Sequence, residues 1–474
     1  MRFYSKNHRC MYTSSVLDCK PIILPLLSCL LILISMESVG REVVFFSLTP
    51  LAYSAVRSFG YAVFFFSGLF INIVFQEHYR FALVDYIGVL YGNFFYLALL
   101  LFLSLPYCLI PLVFRSGIGS ATVLRANISI ILLVLIWLGT DYFLPSKYWI
   151  GLAECPWALW LVRQGGEWLL VISIGCMSAL LTYVAILRSI MLRLMCGLIF
   201  FLLLGLVCVS YPDFVSSPRR LPGSVIGVQF GATSSHDPSM AEVKDAGELY
   251  KLVSSYYSVS STTAKGWLGV MPELTSAPLI DDVKSTSIYR ILSDKFSASF
   301  VINGIVMAAD GKNVYRASRI ISSDGSASRV IKKSALVPIF ETTNNDNGVR
   351  YLEGKDYEKT IDSSWGKIQS LLCFELFGPT YADKDGESPS LVVVEADTTK
   401  FRHPTVDRHM LHAAIFKSQV MRSPVLIANY SGPSFIAWPN GQGYKITEKN
   451  ESAAYVIDSE GNVKVTPMLW EMKL

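Results

Sequence analysis

Seven stretches within the first 211 residues carry no charged side chain: Pro21 to Met36, Val43 to Val56, Ser58 to Gln76, Ile87 to Phe114, Ala126 to Thr140, Trp168 to Leu187 and Leu194 to Tyr211. Most are close to the roughly 20 residues that cross a bilayer as an α-helix. One such run could be a buried core helix, but a soluble core cannot absorb so many in succession. The first half is therefore expected to be a multi-pass α-helical membrane domain of about seven helices, with six or eight left open by the short second and fifth runs. The whole chain agrees, since 52% of its 474 residues are hydrophobic, 16% are charged and its mean hydropathy is positive. That is greasier than a soluble globular protein.

The basic residues around these runs set an expected orientation. Arg2, Lys6, Arg9 and Lys20 precede the first run, Arg57 and Arg115 follow the second and fourth, and Arg188 and Arg193 stand before the last. The positive-inside rule places all of them in the cytoplasm. An odd number of crossings then puts the chain after residue 212 on the other side. Arg41, Arg80, Lys147 and Arg163 oppose this assignment and are fewer. The first run reads as an uncleaved helix, because "SMESVGRE" after it offers no small-x-small cleavage site. The net charge of +4 is small and unclustered, so a nucleic-acid partner is not expected.

The rhythm changes after "VSSPRRLPG". Short apolar runs alternate with polar, Gly and Asp punctuation, and "SVIGVQFGA", "WLGVMPE", "SFVINGIVMAA", "VIKKSALVP", "IQSLLCFEL", "SLVVVEAD" and "PVLIANYSG" read as buried strands. "MAEVKDAGELYKLVSSYYSV" and "PTVDRHMLHAAIFKSQVMRS" read as helices between them. This alternation predicts a layered α/β domain with its own core. The expected organisation is a cytoplasmic tail over 1–20, a transmembrane domain over 21–212, a linker over 213–220 and an α/β domain over 221–474.

Cys373 is the only cysteine after residue 208, so no disulfide framework is available to this domain. A lone cysteine is often a small buried hydrophobe. Its surroundings suggest another use. Glu273 follows one apolar strand, Lys332, Lys333 and Glu341 surround the end of another, and Cys373 ends a third. Charged residues at strand ends of an α/β sheet point into the crevice where ligands bind. A carboxylate, an ammonium and a thiol together can deprotonate the thiol, attack a carbonyl and stabilise the oxyanion.

The motifs in this order, "PE" at Pro272–Glu273, "KSALVPIFE" from Lys333 to Glu341 and "CFE" from Cys373 to Glu375, with "VQ" at Val228–Gln229 and "RSPVLIANYSG" later, resemble the nitrilase superfamily. They are similar above all to its membrane-bound branch, the apolipoprotein N-acyltransferases. The resemblance implies an α-β-β-α sandwich, with Glu273 as general base, Lys333 as oxyanion stabiliser and Cys373 as nucleophile. Glu341 would orient Lys333, Glu375 would support the site locally, and the Phe374 N–H would be a second oxyanion donor. Between Glu341 and Cys373 the chain has the polar "TTNNDNGVRYLEGKDYEKTIDSS", and it ends in "VTPMLWEMKL", where the resemblance implies an apolar lid and a further helix. These departures bring it closer to the conjugal-transfer TraB-type relatives.

The implied activity is acyl transfer through a cysteine thioester, from a phospholipid donor to an amine acceptor such as a lipoprotein N-terminus. The implied location is a cell inner membrane, with the catalytic domain on the periplasmic side. An amidase-type carbon–nitrogen hydrolase is the alternative, and a TraB-type transfer protein with another acceptor is a second. Neither cofactor nor metal is implied. His403, His409 and His412 cluster in sequence but lack a carboxylate or cysteine to complete a zinc pattern.

Overall fold

A computed structural model describes residues 44–56, 60–115, 122–143, 149–209, 220–230, 266–273, 279–280, 286–337, 341, 350–355, 358–378, 387–398 and 404–467, with scattered positions between 23 and 34. The tail over 1–20, most of the first apolar run, the linker over 213–219, the helix expected near 240–259, the polar segment over 342–349 and His403 lie outside the described residues.

In the first half the described parts of the apolar runs are mainly helical, since an α-helix satisfies its backbone polar groups within the segment. After a turn at Val44–Ser47 come α1 (Thr49–Val56), α2 (Tyr61–Phe75), α3 (Glu77–Ile87), α4 (Val89–Ser104), α5 (Leu109–Arg115), α6 (Thr122–Phe143), α7 (Pro156–Ile186) and α8 (Ile190–Val209). Among the described residues, three stretches are long and apolar enough to cross a membrane: Val89–Leu112, Thr122–Asp141 and Pro156–Ile186. Tyr61–Ile73 and Ile190–Leu203 are shorter apolar helices. The Val43 to Val56 run, expected as one crossing, is instead a turn and a short helix, with Pro50 in the first turn of α1 and Leu48, Leu51, Ala52 and Ala55 buried.

Helix α7 is broken inside. Gly166 has φ +71° and ψ −176°, a conformation essentially closed to residues with a Cβ. The segment before it packs beneath the second half of the molecule, and the uncharged stretch from Trp168 begins just beyond the break. Trp149 donates from Nε1 to Glu167 Oε2 at 2.8 Å next to this bend.

The second half is built on two sheets. The first has strand order β13-β12-β1-β2-β3-β4-β5, from β1 (Ser224–Gln229), β2 (Trp267–Val270), β3 (Ala298–Met307), β4 (Val314–Ile321), β5 (Ile331–Lys332), β12 (Ala453–Ile457) and β13 (Val463–Pro467). The second has order β11-β10-β9-β8-β7-β6, from β6 (Thr360–Ser363), β7 (Gly366–Leu372), β8 (Leu391–Ala396), β9 (Val425–Asn429), β10 (Phe435–Ala437) and β11 (Gly443–Lys445). Strands β1, β2 and β3 run parallel to one another, as do β7, β8 and β9. These six strands are buried along all or most of their length, as parallel strands covered on both faces require.

Leu268, Val270 and Val301 of one sheet meet Ile368, Val393 and Leu426 of the other in the core between them. Helix α9 (Ser287–Phe296) covers the outside of the first sheet through Tyr289, Leu292 and Phe296. Helix α10 (Pro404–Met421) covers the outside of the second. The expected α-β-β-α layering is therefore present. Helix α10 does double duty: Met410, Ala413, Ala414 and Phe416 share one buried apolar cluster with Leu371 and Val394 of the sheet and with Trp157, Leu161 and Val162 of α7.

Candidate active site

Glu273, Lys333 and Cys373 each directly or closely follow the end of a strand. Strand β2 stops at Val270, Met271 still bonds across to Val301, and Glu273 follows at the edge of the crevice. Asn303 of β3 pins that turn by donating from Nδ2 to the Pro272 carbonyl at 2.7 Å and to Glu395 Oε1 at 3.0 Å. Strand β5 ends on Lys332, whose ammonium lies 4.3 Å from the Tyr315 ring centroid, and Lys333 follows it on the inner side, completely buried. The Lys333 N–H extends the ladder by donating to Arg316 O at 2.8 Å.

Cys373 ends β7 at a backbone φ of +45°, a left-handed conformation that a residue with a Cβ adopts only when its surroundings enforce it. The enforcement comes from Glu375, two residues into the 3-10 turn Cys373–Leu376. Its Oε2 accepts from Leu372 N at 2.9 Å, and its Oε1 accepts from Ser334 N at 2.6 Å and from Ser334 Oγ at 2.7 Å. The buried Lys359 ammonium lies 2.9 Å from Oε1. Since Ser334 follows Lys333, this one carboxylate fastens the lysine-bearing strand to the cysteine elbow. Phe374 follows Cys373 in the first turn of this short helix, where a backbone N–H has no acceptor within its own helix.

Glu273, Lys333 and Glu341 come together around one ammonium. Lys333 Nζ lies 3.4 Å from Glu273 Oε1 and 2.9 Å from Glu341 Oε1, and Glu341 is itself held by Val337 N at 2.7 Å from Oε2. Arg316 of β4 adds a second cation, with Nη1 3.4 Å from Glu273 Oε1 and Nε 3.1 Å from Glu341 Oε1. Cys373 is buried within electrostatic reach of Glu273, Lys333 and Glu341, and the backbone of Asp397 hydrogen-bonds to it.

The charges follow from this packing. Burial, reinforced by Glu273, pushes the Cys373 thiol up, with Lys333 acting in the opposite direction. The resting residue is therefore a thiol that needs a base. Burial raises Glu273 above the usual carboxylate range against the pull of Lys333 and Arg316. Burial acts the same way on Glu341, but Lys333 and Arg316 outweigh it and hold Glu341 below that range. For Lys333, burial works against the charge, and Glu273 and Glu341 more than offset it, so it stays a cation.

The motif readings located Glu273, Lys333, Glu341, Cys373, Phe374 and Glu375, and the fold brings all of them to one place. They missed Arg316, Asp397, Glu395 and Lys359. Arg316 sits in "VYRASRII", where its burial beside two glutamates is fixed only by the pairing of β4 with β5. His409 and His412 are buried on α10, and His412 Nε2 lies 2.9 Å from Glu154 Oε1, so this pair joins the two halves of the molecule. Among the described residues no group of three or more His, Cys, Asp or Glu is placed to hold a metal ion, and Cys108, Cys155, Cys176, Cys196 and Cys373 are not joined in disulfides.

Several solved structures are similar to this chain. They include Nit3 of Saccharomyces cerevisiae, a member of branch 10 of the nitrilase superfamily, at 18% identity and a TM-score of 0.40 over 50% of this chain and 90% of Nit3. A carbon–nitrogen hydrolase from Helicobacter pylori G27 is similar at 15% identity and a TM-score of 0.38, over 50% of this chain and 89% of its own. An amidase from Nesterenkonia sp. is similar at 12% identity and a TM-score of 0.34, over 53% and 91% respectively. No protein-family model matches the chain, and no curated protein matches it.

Proposed function

We propose that this protein is a membrane-embedded acyltransferase that works through a thioester on Cys373, taking an acyl chain from a phospholipid and passing it to an amine. The observation that carries this reading is the convergence of Glu273, Lys333 and Glu341, with Lys333 Nζ 3.4 Å and 2.9 Å from the two carboxylates, beside a buried thiol on a strained elbow.

In this reading Glu273 accepts the Sγ proton as sulfur attacks the ester carbonyl. Lys333 Nζ and the Phe374 N–H receive the oxyanion, which preorganised donors in a dry site stabilise strongly. Collapse breaks the bond to the leaving alkoxide, which takes the proton from Glu273 and departs as an alcohol. The amine then attacks the thioester carbonyl, Glu273 removes its proton, and Cys373 leaves and is reprotonated.

The lipid donor is supported by the first half. Among the described residues there, three helices are long and apolar enough to cross a membrane, and large apolar side chains such as Leu90, Phe66, Phe102, Leu198 and Phe201 stand on the outside, where a soluble monomer rarely gathers them. The inner-membrane location, the periplasmic facing of residues 221–474 and the lipoprotein acceptor belong to this same proposal. The amidase reading, with water resolving the thioester, is favoured by the polar composition between Glu341 and Thr360, which offers little apolar cover for a lipid tail.

Initial rates measured against both phospholipid and an amine-terminated lipopeptide test the choice. Acyl transfer predicts ping-pong kinetics, with parallel double-reciprocal lines and an acylated peptide product. Release of free fatty acid at a rate indifferent to the peptide would instead establish the hydrolase.

A further inference from the structure

We infer that Arg316 is a positioning residue for the general base: its guanidinium lets Glu273 and Glu341 stand side by side as two ionised carboxylates, leaving Glu273 able to take the Cys373 proton. This rests on the reading of Glu273 as that base.

The geometry is a closed ring of charge. Glu273 Oε1 lies 3.4 Å from both Lys333 Nζ and Arg316 Nη1, and Glu341 Oε1 lies 2.9 Å from Lys333 Nζ and 3.1 Å from Arg316 Nε. Each cation thus touches the same two oxygens. The ring is rigid on its basic side, because the Arg316 carbonyl accepts the Lys333 N–H at 2.8 Å and the guanidinium carbon sits 4.7 Å from the Tyr351 ring centroid. Tyr351 is held in turn by the pairing of its segment with Val314.

Without Arg316, two buried carboxylates would share the single ammonium of Lys333. Like charges that close cannot both ionise readily, and one takes up a proton. Glu341 keeps a backbone bond from Val337 N at 2.7 Å, so the proton falls on Glu273, which then cannot receive another from sulfur. The remaining groups that act on Glu273 favour the same outcome. Asp397 beyond β8 adds negative charge, and the charge of Glu273 in turn raises Glu395 within β8, which burial also pushes up. Lys333 would also be drawn onto Glu341, the one carboxylate still ionised, and away from the reacting carbonyl.

The test uses full-length protein in detergent and p-nitrophenyl butyrate as the probe, with release of nitrophenolate followed across pH for wild type, Arg316→Gln, Arg316→Lys and Glu273→Gln. The acid limb of kcat/KM reports the free enzyme's base. Arg316→Gln is expected to move that limb up by about one unit or more, so that the rate falls about tenfold or more near pH 6 and recovers partly at higher pH. Arg316→Lys, which keeps the charge but cannot bridge two carboxylates, is expected to move it less in the same direction, and it carries the test if the glutamine variant does not fold. A merely structural role would lower the rate equally at every pH. An unmoved limb in both arginine variants, with Glu273→Gln inactive, overturns the role of Arg316 alone. If Glu273→Gln keeps the wild-type rate and limb, the assignment of the base fails and this inference falls with it.

Discussion

At the scale of single residues, Lys332 and Lys333 separate two roles that adjacent positions on a strand must have, since their side chains leave opposite faces. Lys333 is fully buried between Glu273 and Glu341, whereas Lys332 lies over the Tyr315 ring. Lys333→Ala is expected to lower the rate of Cys373 acylation by about a hundredfold or more, as removal of an oxyanion donor does, and Lys332→Ala by only a few-fold; single-turnover acylation of the two variants distinguishes them. A second prediction concerns Glu395, fully buried, bonded to Asn303 at 3.0 Å and to Ser370 at 3.1 Å, and pushed by burial from 4.5 up to about 7. The folded chain therefore holds a proton that the unfolded chain releases between these values. Its favourable contribution is complete below the lower value and is lost as pH rises through the upper one. Glu395→Gln keeps the neutral hydrogen bonds and should leave stability nearly unchanged at low pH while adding on the order of 3 kcal/mol near pH 8. Thermal melts at both pH values check this, and a difference that does not change with pH would refute it.

Elements explain how these residues meet. Glu375 and Lys359 form a buried ion pair at 2.9 Å that ties β6 to the turn after β7. Removing one partner leaves a buried charge unpaired, so Glu375→Ala is expected to destabilise the protein by about 3–5 kcal/mol. The pair Glu375→Leu with Lys359→Met should recover most of that loss in chemical unfolding yet remain poorly active, because Ser334 and the elbow lose their common anchor. Recovery of full activity in the double variant would show that Glu375 matters only as a counter-ion. Much at this scale was legible in the sequence. The runs from Ile87 and Ala126 became helices, and "SVIGVQFGA", "SLVVVEAD" and "PVLIANYSG" became β1, β8 and β9, because fully buried parallel strands must be apolar throughout. Strands β4, β6, β10, β11, β12 and β13 were not, being short or studded with polar residues, as in "VYRASRII". The antiparallel pairing of β12 with β1, which joins Val225 to Ile457, is a contact across the whole domain that no local pattern announces. Arg316 and Asp397 stayed hidden for the same reason: their meaning depends on which strand lies next door.

On the scale of the whole molecule, α10 is common property. One side covers the second sheet and the other meets α7, where His412 Nε2 approaches Glu154 Oε1 at 2.9 Å. Residues 221–474 produced alone would expose that apolar side, and the fragment is expected to aggregate without detergent and to elute as a monomer with it. A fragment that is monomeric in plain buffer would mean that the contact with α7 contributes little. The same arrangement puts Cys373 in one continuous apolar cluster with α10 and the helical half. The most direct measurement is peptide mass spectrometry of the full-length protein after incubation with an isotope-labelled phospholipid. The expected result is a labelled acyl adduct on Cys373 that hydroxylamine removes and that is absent from Glu273→Gln. Turnover of the labelled lipid by Cys373→Ala, with no adduct on the wild-type cysteine, would contradict it.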